Sequence, residues 1–289
     1  MLIFSKVKGV VILACAISLF SCMKNQKISQ SASEQKNVET TTEDNWTLFW
    51  SDEFDGKTID STKWNFQQEP AGRFNEEWQR YTTSTENAYV ENNQLVIKAI
   101  HESDTHGLDQ YSSARLNTAG KFSFKYGKIS ARVKLPYGEG IWPAFWMLGA
   151  NIDENGGDTP WPFCGEIDIL ELYGSNDDAV VEVNAHYANM DGKHDQMHAK
   201  AYKLEKGIFA DDFHIFELEW TPKALIWYVD GNNVASFDIS SEEFSEFHNE
   251  FFLLLNIAVG GTFAGRPDES SVFPQHMYVD WIKVYKKEE

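Results

Sequence analysis

The run Gly165-Glu166-Ile167-Asp168-Ile169-Leu170-Glu171-Leu172-Tyr173-Gly174 decides how the chain is read. Three acids stand among bulky aliphatic residues, with glycine at both ends and no helix start signal. Ile, Leu and Tyr in a short run bounded by glycine predict a buried strand. Side chains alternate along a strand, so Glu166 and Asp168 share one face while Ile167 and Ile169 point into a core. Strict alternation would then set Leu170 beside the acids and Glu171 in the core. A one-residue β-bulge between Asp168 and Glu171 removes the conflict, because the extra residue resets the face. All three carboxylates then line one open face, where they repel and raise one another's pKa values. Such crowding is tolerated at sites that must hold a proton near neutral pH.

Glycoside hydrolysis is the chemistry this pattern suits. A retaining glycosidase uses two carboxyl groups roughly 5 Å apart, one as nucleophile and one as acid/base. Glu166 and Glu171 are about four strand steps apart across the bulge, roughly 13 Å between Cα atoms. Two long Glu side chains leaning inward can close that gap, with Asp168 between them to tune protonation. A solvated acidic strand face is the alternative, and the apolar flanks argue against it.

The 289 residues, 42% of them hydrophobic, can bury one large core. Asp and Glu number 44 against 25 Lys and Arg, which excludes nucleic acid as a natural partner and disfavours polyanionic polymers. A neutral polysaccharide fits this balance. Ten Trp, eleven Tyr and twenty Phe suit sugar stacking, although most must simply fill the core. Near the N-terminus, Lys6 and Lys8 precede an apolar run, Gly9 to Phe20, too short to span a membrane. Its end, Leu19-Phe20-Ser21-Cys22, resembles a bacterial lipobox. Residues 1–21 are therefore expected to be a signal peptide and Cys22 the lipidated residue, anchoring the chain in the bacterial cell envelope. Plain secretion is the alternative. The polar stretch to residue 44 reads as a tether, and residues 45–289 as one catalytic domain, expected to be a monomer. Only Cys164 then remains unmodified, so no disulfide is expected; it reads as an inert, packed thiol.

Strand signals recur every ten to fifteen residues. Trp46 to Ser51 alternates; Asn87 to Ala99 reads as two strands about an Asn92-Asn93 turn; Arg115 to Leu135 reads as two more about Tyr126-Gly127. Phe213 to Trp220, the hairpin about Asp230-Gly231, Phe251 to Val259 and Met277 to Tyr285 complete the set. Only Ser240 to His248 suggests a short helix. The fold class is all-β: a two-sheet β-sandwich, a concanavalin-like jelly roll.

Glu166-Ile167-Asp168-Ile169-Leu170-Glu171 also resembles the active-site strand of glycoside hydrolase family 16, in its bulged, laminarinase-like form. Trp50 to Gly56, Ser113 to Leu116, Gly140 to Gly149, Asn256 to Gly261 and Phe273 to Trp281 resemble other segments of that family, in the same order over roughly residues 46–286. The resemblance implies Glu166 as nucleophile, Glu171 as acid/base and Asp168 as their assistant. It favours Trp142 and Trp146, which share a strand face, as a sugar platform rather than core filler. Trp161 lies in a Pro-flanked loop and is a further cleft candidate. Asn75 and Glu77 carry over as sugar hydrogen-bonders, although Glu76 replaces an Asn beside them. Arg115 is implied to reach a sugar hydroxyl, and His186 to stand near the leaving-group side. No catalytic cofactor is implied; a structural calcium is, at Glu53, the carbonyl near Asn93, and Asp280. His194 and His198 sit in a polar stretch and read as solvated. The expected activity is a retaining endo-β-glucanase on β-1,3 or mixed β-1,3/1,4 glucan. Agarase-like galactan cleavage, transglycosylation and non-catalytic glycan binding remain the alternatives.

Overall fold

The structure, a computed structural model, describes residues 45–102, 111–198, 201–269 and 271–288. The expected signal peptide, Cys22 and the tether lie outside the described residues. In chain order the strands are β1 (Trp46–Asp52), β2 (Asn65–Gln67), β3 (Gln79–Tyr81), β4 (Ala88–Glu91), β5 (Gln94–His101), β6 (Tyr111–Ser113), β7 (Arg115–Asn117), β8 (Gly127–Lys134) and β9 (Ile141–Gly149). They continue as β10 (Glu166–Glu171), β11 (Val180–Ala188), β12 (His194–Gln196), β13 (Tyr202–Lys203), β14 (His214–Trp220), β15 (Ala224–Val229), β16 (Asn232–Asp238), β17 (Phe251–Val259) and β18 (Gln275–Lys287). One sheet runs β16-β15-β14-β8-β18-β5-β6-β3, with β1 on β18 and β4 on β5. The other runs β12-β11-β10-β9-β17-β7-β2, with β13 on β11. The two sheets enclose one apolar core, the sandwich that the strand spacing predicts.

Turn chemistry fixes the hairpins. Asn92 and Asn93 (φ 53° and 58°) join β4 to β5, and Asp230 and Gly231 (φ 49° and 76°) join β15 to β16. Both pairs supply the two left-handed residues that a tight hairpin requires. One expectation needs correction. β7 is only three residues long, because the chain turns off it at Thr118, whose carbonyl accepts from Lys121 N and Phe122 N. The short helix expected over Ser240 to His248 is present as a 3-10 helix, Glu242–His248, interrupted at Phe244.

The second sheet carries the cleft, and its strands show why. Along β17, Phe251, Leu253, Leu255, Ile257 and Val259 enter the main core. Phe252, Leu254, Asn256 and Ala258 face the other way, and all nine residues are buried. Phe252 and Leu254 are covered by Leu148, Ile152 and Cys164, and Ala258 by Trp142, leaving Asn256 on the cleft floor. The continuous apolar run is thus a strand covered on both faces. Cys164 is fully buried and its thiol pKa is pushed up to about 12 by burial and the charge of Glu166, which keeps it inert.

Glu53, Asn93 and Asp280 come to one end of the first sheet. β1 pairs Asp52 with Ile282, and β18 pairs Val279 with Leu95, close to the Asn92-Asn93 turn. Both carboxylates are already neutralised: Glu53 Oε1 lies 3.1 Å from Lys283 Nζ, and Asp280 Oδ2 lies 2.7 Å from Arg132 Nη1. Calcium takes about six to eight oxygen ligands. A carboxylate set that faces two cations does not fit that ion as it stands.

Candidate active site

β10 carries the bulge. Against β9 the pairing jumps from Asp168–Trp146 to Leu170–Phe145, and against β11 from Asp168–Asn184 to Glu171–Glu182. Ile169 and Leu170 consequently both join the main core, while Glu166, Asp168 and Glu171 all line a cleft of about 350 Å³ on the opposite face. The register continues the cleft across the sheet. Glu171 stands opposite Ala144, which pairs with Asn256, which pairs with Arg115. The small Ala144 leaves room beside Glu171, flanked on the same strand by Trp142 and Trp146.

Each acid has its own orienting partners. Glu171 accepts from Trp142 Nε1 at Oε1 (2.9 Å) and from the Tyr173 hydroxyl at Oε2 (2.8 Å). Glu166 accepts from Trp161 Nε1 at Oε2 (3.1 Å). Asp168 is only 2% exposed, and its Oδ2 lies 3.2 Å from His186 Nε2. The same imidazole nitrogen is 3.8 Å from Glu166 Oε1. His186 is the neighbour of Glu166 in the β10–β11 register, so a single imidazole faces two of the three acids.

These environments push the two glutamates apart. Burial, then the charge of Asp168, raises Glu171 well above the ordinary carboxylate range, against the Tyr173 and Trp142 hydrogen bonds. Burial and Asp168 also raise Glu166, but His186 and Arg115 hold it back at about 7. Burial opposes charge on His186, yet the hydrogen bond and charge of Asp168, with the other two acids, carry it up to about 9. At neutral pH the arrangement is therefore a protonated Glu171, a more readily ionised Glu166 and an imidazolium beside Asp168. Two carboxyls with separated proton affinities can divide the roles of acid and nucleophile.

Of the residues expected from the sequence, Asn75, Glu77, Arg115, Trp142, Trp146 and Trp161 line the cleft with the three acids. His186 sits beside Glu166 and Asp168. Trp142 is 7% exposed and packs against Tyr173 and Phe263, so much of its ring is covered, whereas Trp161 is 43% exposed. The Arg115 guanidinium is stacked between the rings of Phe74 (4.4 Å) and Trp146 (4.7 Å). Glu77 is buried and its pKa raised by that burial; Oε2 accepts from Gln79 Nε2 (2.7 Å) and the Tyr81 hydroxyl (3.1 Å). Glu76 has a left-handed backbone (φ 56°), the conformation an Asn there would adopt more readily.

His194 is exposed, as a solvated residue should be, but it makes contacts that its polar stretch does not announce. It belongs to β12, which pairs with β11; its Nε2 lies 2.9 Å from His186 Nδ1, and its ring centroid 4.6 Å from that of Trp161. Burial and the neighbouring His186 lower its pKa, so it accepts the Nδ1 proton of the imidazolium. Sequence reasoning also missed Asn256, Tyr173, Ala144 and Phe74. Asn256 accepts from Trp146 Nε1 at Oδ1 (2.8 Å), and it is the one polar residue in an apolar run, a signal that could have found it.

The family model for glycosyl hydrolases family 16 matches residues 74–283, the region that builds this cleft. The chain belongs to family 16 of the glycosyl hydrolases. This family 16 chain is 35% identical over 265 residues to a glucan endo-1,3-beta-glucosidase of Niallia circulans, covering 83% of this chain and 38% of the relative. It is 36% identical over 263 residues to a beta-glucanase of Rhodothermus marinus, covering 83% and 85%. The laminarinase catalytic domain of Thermotoga maritima superimposes with a TM-score of 0.73 at 44% identity, covering 86% of this chain and 100% of that one. The chain thus spans well under half of the first relative and most of the second.

Proposed function

We propose that this hydrolase cleaves β-1,3-glucan, or mixed-linkage β-1,3/1,4-glucan, within the chain and with retention of anomeric configuration. The observation that carries the reading is the pair of glutamates on one bulged strand, held by different partners and with separated proton affinities. Glu171 gives its proton to the leaving glycosidic oxygen while Glu166 attacks the anomeric carbon, forming a glycosyl-enzyme. Glu171, now a carboxylate, takes a proton from water, and that water releases the sugar from Glu166. Trp142 and Tyr173 aim Glu171 through its two oxygens, and Asp168 with His186 holds the charge between the acids. Relatives named as glucan endo-1,3-beta-glucosidase, beta-glucanase and laminarinase support a glucan as the polymer.

The test is product analysis on laminarin, barley mixed-linkage glucan and agarose, with Glu166→Gln alongside. Glucan oligosaccharides of mixed length are expected from the wild type and none from Glu166→Gln, a loss of at least about a thousandfold. Oligosaccharides from agarose alone would move the substrate to galactan. Binding of glucan without cleavage by the wild type would refute catalysis and leave a glycan-binding protein.

A further inference from the structure

The bulge that brings the acids together creates a difficulty inside the sandwich. Asp168 is the last residue in register with both neighbours before the pairing slips on each side. Its carbonyl is met from across the core: Trp227 Nε1, from β15 of the opposite sheet, donates to Asp168 O at 2.8 Å. Trp227 is completely buried, its ring edge-on to Phe237 at 5.6 Å. Sheets in a sandwich stand about 10 Å apart, and an indole is long enough to bridge that gap and end in a donor. A carbonyl turned into an apolar core without a donor is costly, typically by about 1–3 kcal/mol.

We propose that Trp227 is a positioning residue for the acid strand: its indole N–H, reaching across the core, fixes the Asp168–Ile169 peptide plane and so the direction of the Asp168 carboxylate. This inference rests on the reading of Glu166 and Glu171 as the reacting pair. Without that donor, the peptide rotates toward another partner. Asp168 then leaves its 3.2 Å approach to His186, and the charge between the two glutamates shifts.

The same core holds a matched control. Trp220 is equally buried, and its Nε1 donates to Phe247 O at 3.0 Å, in a segment that contributes nothing to the cleft. Trp227→Phe and Trp220→Phe each delete one indole N–H and a similar volume, so both should lower the melting temperature comparably. Only Trp227→Phe is expected to lower kcat on the glucan that the wild type cuts, by about tenfold with KM within about twofold. It should also displace the pH profile. Equal kcat and an unshifted profile in the two variants would overturn the proposal. Titration of the Glu166 and Glu171 carboxyls by carbon-13 NMR needs no substrate and decides the matter separately. It should move in Trp227→Phe and stay in Trp220→Phe even if the wild type cuts none of the glucans. Should Trp227→Phe not fold, 3-benzothienylalanine at position 227 keeps the ring shape and lacks only the N–H.

Discussion

β10 and β17 flank the same strand, β9, and are both central and covered, yet they are built to different ends. β17 keeps strict register against β9 over nine residues, and all nine are buried. β10 breaks register within six residues and spends its cleft face on three carboxylates. The lesson is that the sheet's cohesion is drawn from β17, whereas β10 carries stored repulsion that the rest of the sheet must hold in place. Removing a side chain from each strand should therefore have opposite signatures.

Glu171→Gln should reduce activity by at least about a thousandfold and yet raise the melting temperature. At neutral pH the amide removes the cost of keeping Glu171 protonated in its buried place beside Asp168, a cost set by a folded-state pKa above that of the unfolded carboxyl, and it still offers an acceptor to Trp142 or Tyr173. Leu253→Ala on β17 should do the reverse, costing about 2–5 kcal/mol of stability while the pH profile keeps its shape. Thermal melts and initial rates on the two variants check both halves. A lower melting temperature for Glu171→Gln would mean that β10 carries no such cost.

The next sharpening is electrostatic. The mechanism needs Glu166 ionised and Glu171 protonated, so kcat/KM should rise through about pH 7 and fall again only at the higher pH where Glu171 ionises. The positive charge of His186 lowers the Glu166 pKa, so removing it moves the acid limb to higher pH. His186→Asn is expected to lower kcat/KM by about tenfold below pH 7 and much less at pH 8. An acid limb that stays in place would show that His186 does not share charge with the pair. His194→Gln tests the other end of the imidazole contact and should have the same sign but a smaller effect.

How much of this was legible in the sequence differs between the same two strands. The bulge in β10 could be read because an acid at the wrong parity is a contradiction that only an extra residue resolves. The apolar run of β17 was read as a strand, but Asn256 within it passed unnoticed, although a lone polar residue there is the informative one. His194 was not legible. Its short strand has no apolar period, and only its pairing beside β11 brings it to His186. Ala144 matters through the space it leaves, which no local pattern announces. The resemblance to family 16 supplied Asn75, Glu77 and Arg115, whose meeting depends on the loop before β3 reaching β7, far from it in the chain.

The smallest effect concerns the far end of the first sheet, where the resemblance implies calcium. Binding to the folded state stabilises by RT ln(1 + [L]/Kd), about 2.7 kcal/mol at a hundredfold excess over Kd. For a domain of this size that would raise the melting temperature by several degrees, at about 2–4 °C per kcal/mol. Here the ion would first have to displace Lys283 from Glu53 and Arg132 from Asp280. These ion pairs are partly exposed and individually weak, about 0–1 kcal/mol each, but their cations would remain beside the metal and repel it. The expected difference between millimolar calcium and EDTA is therefore less than about 2 °C, measured by differential scanning calorimetry. Lys283→Gln with Arg132→Gln removes both cations and should enlarge it. A large calcium effect on the unmodified protein would show instead that the two lysine and arginine side chains swing away, leaving Glu53 and Asp280 as ligands.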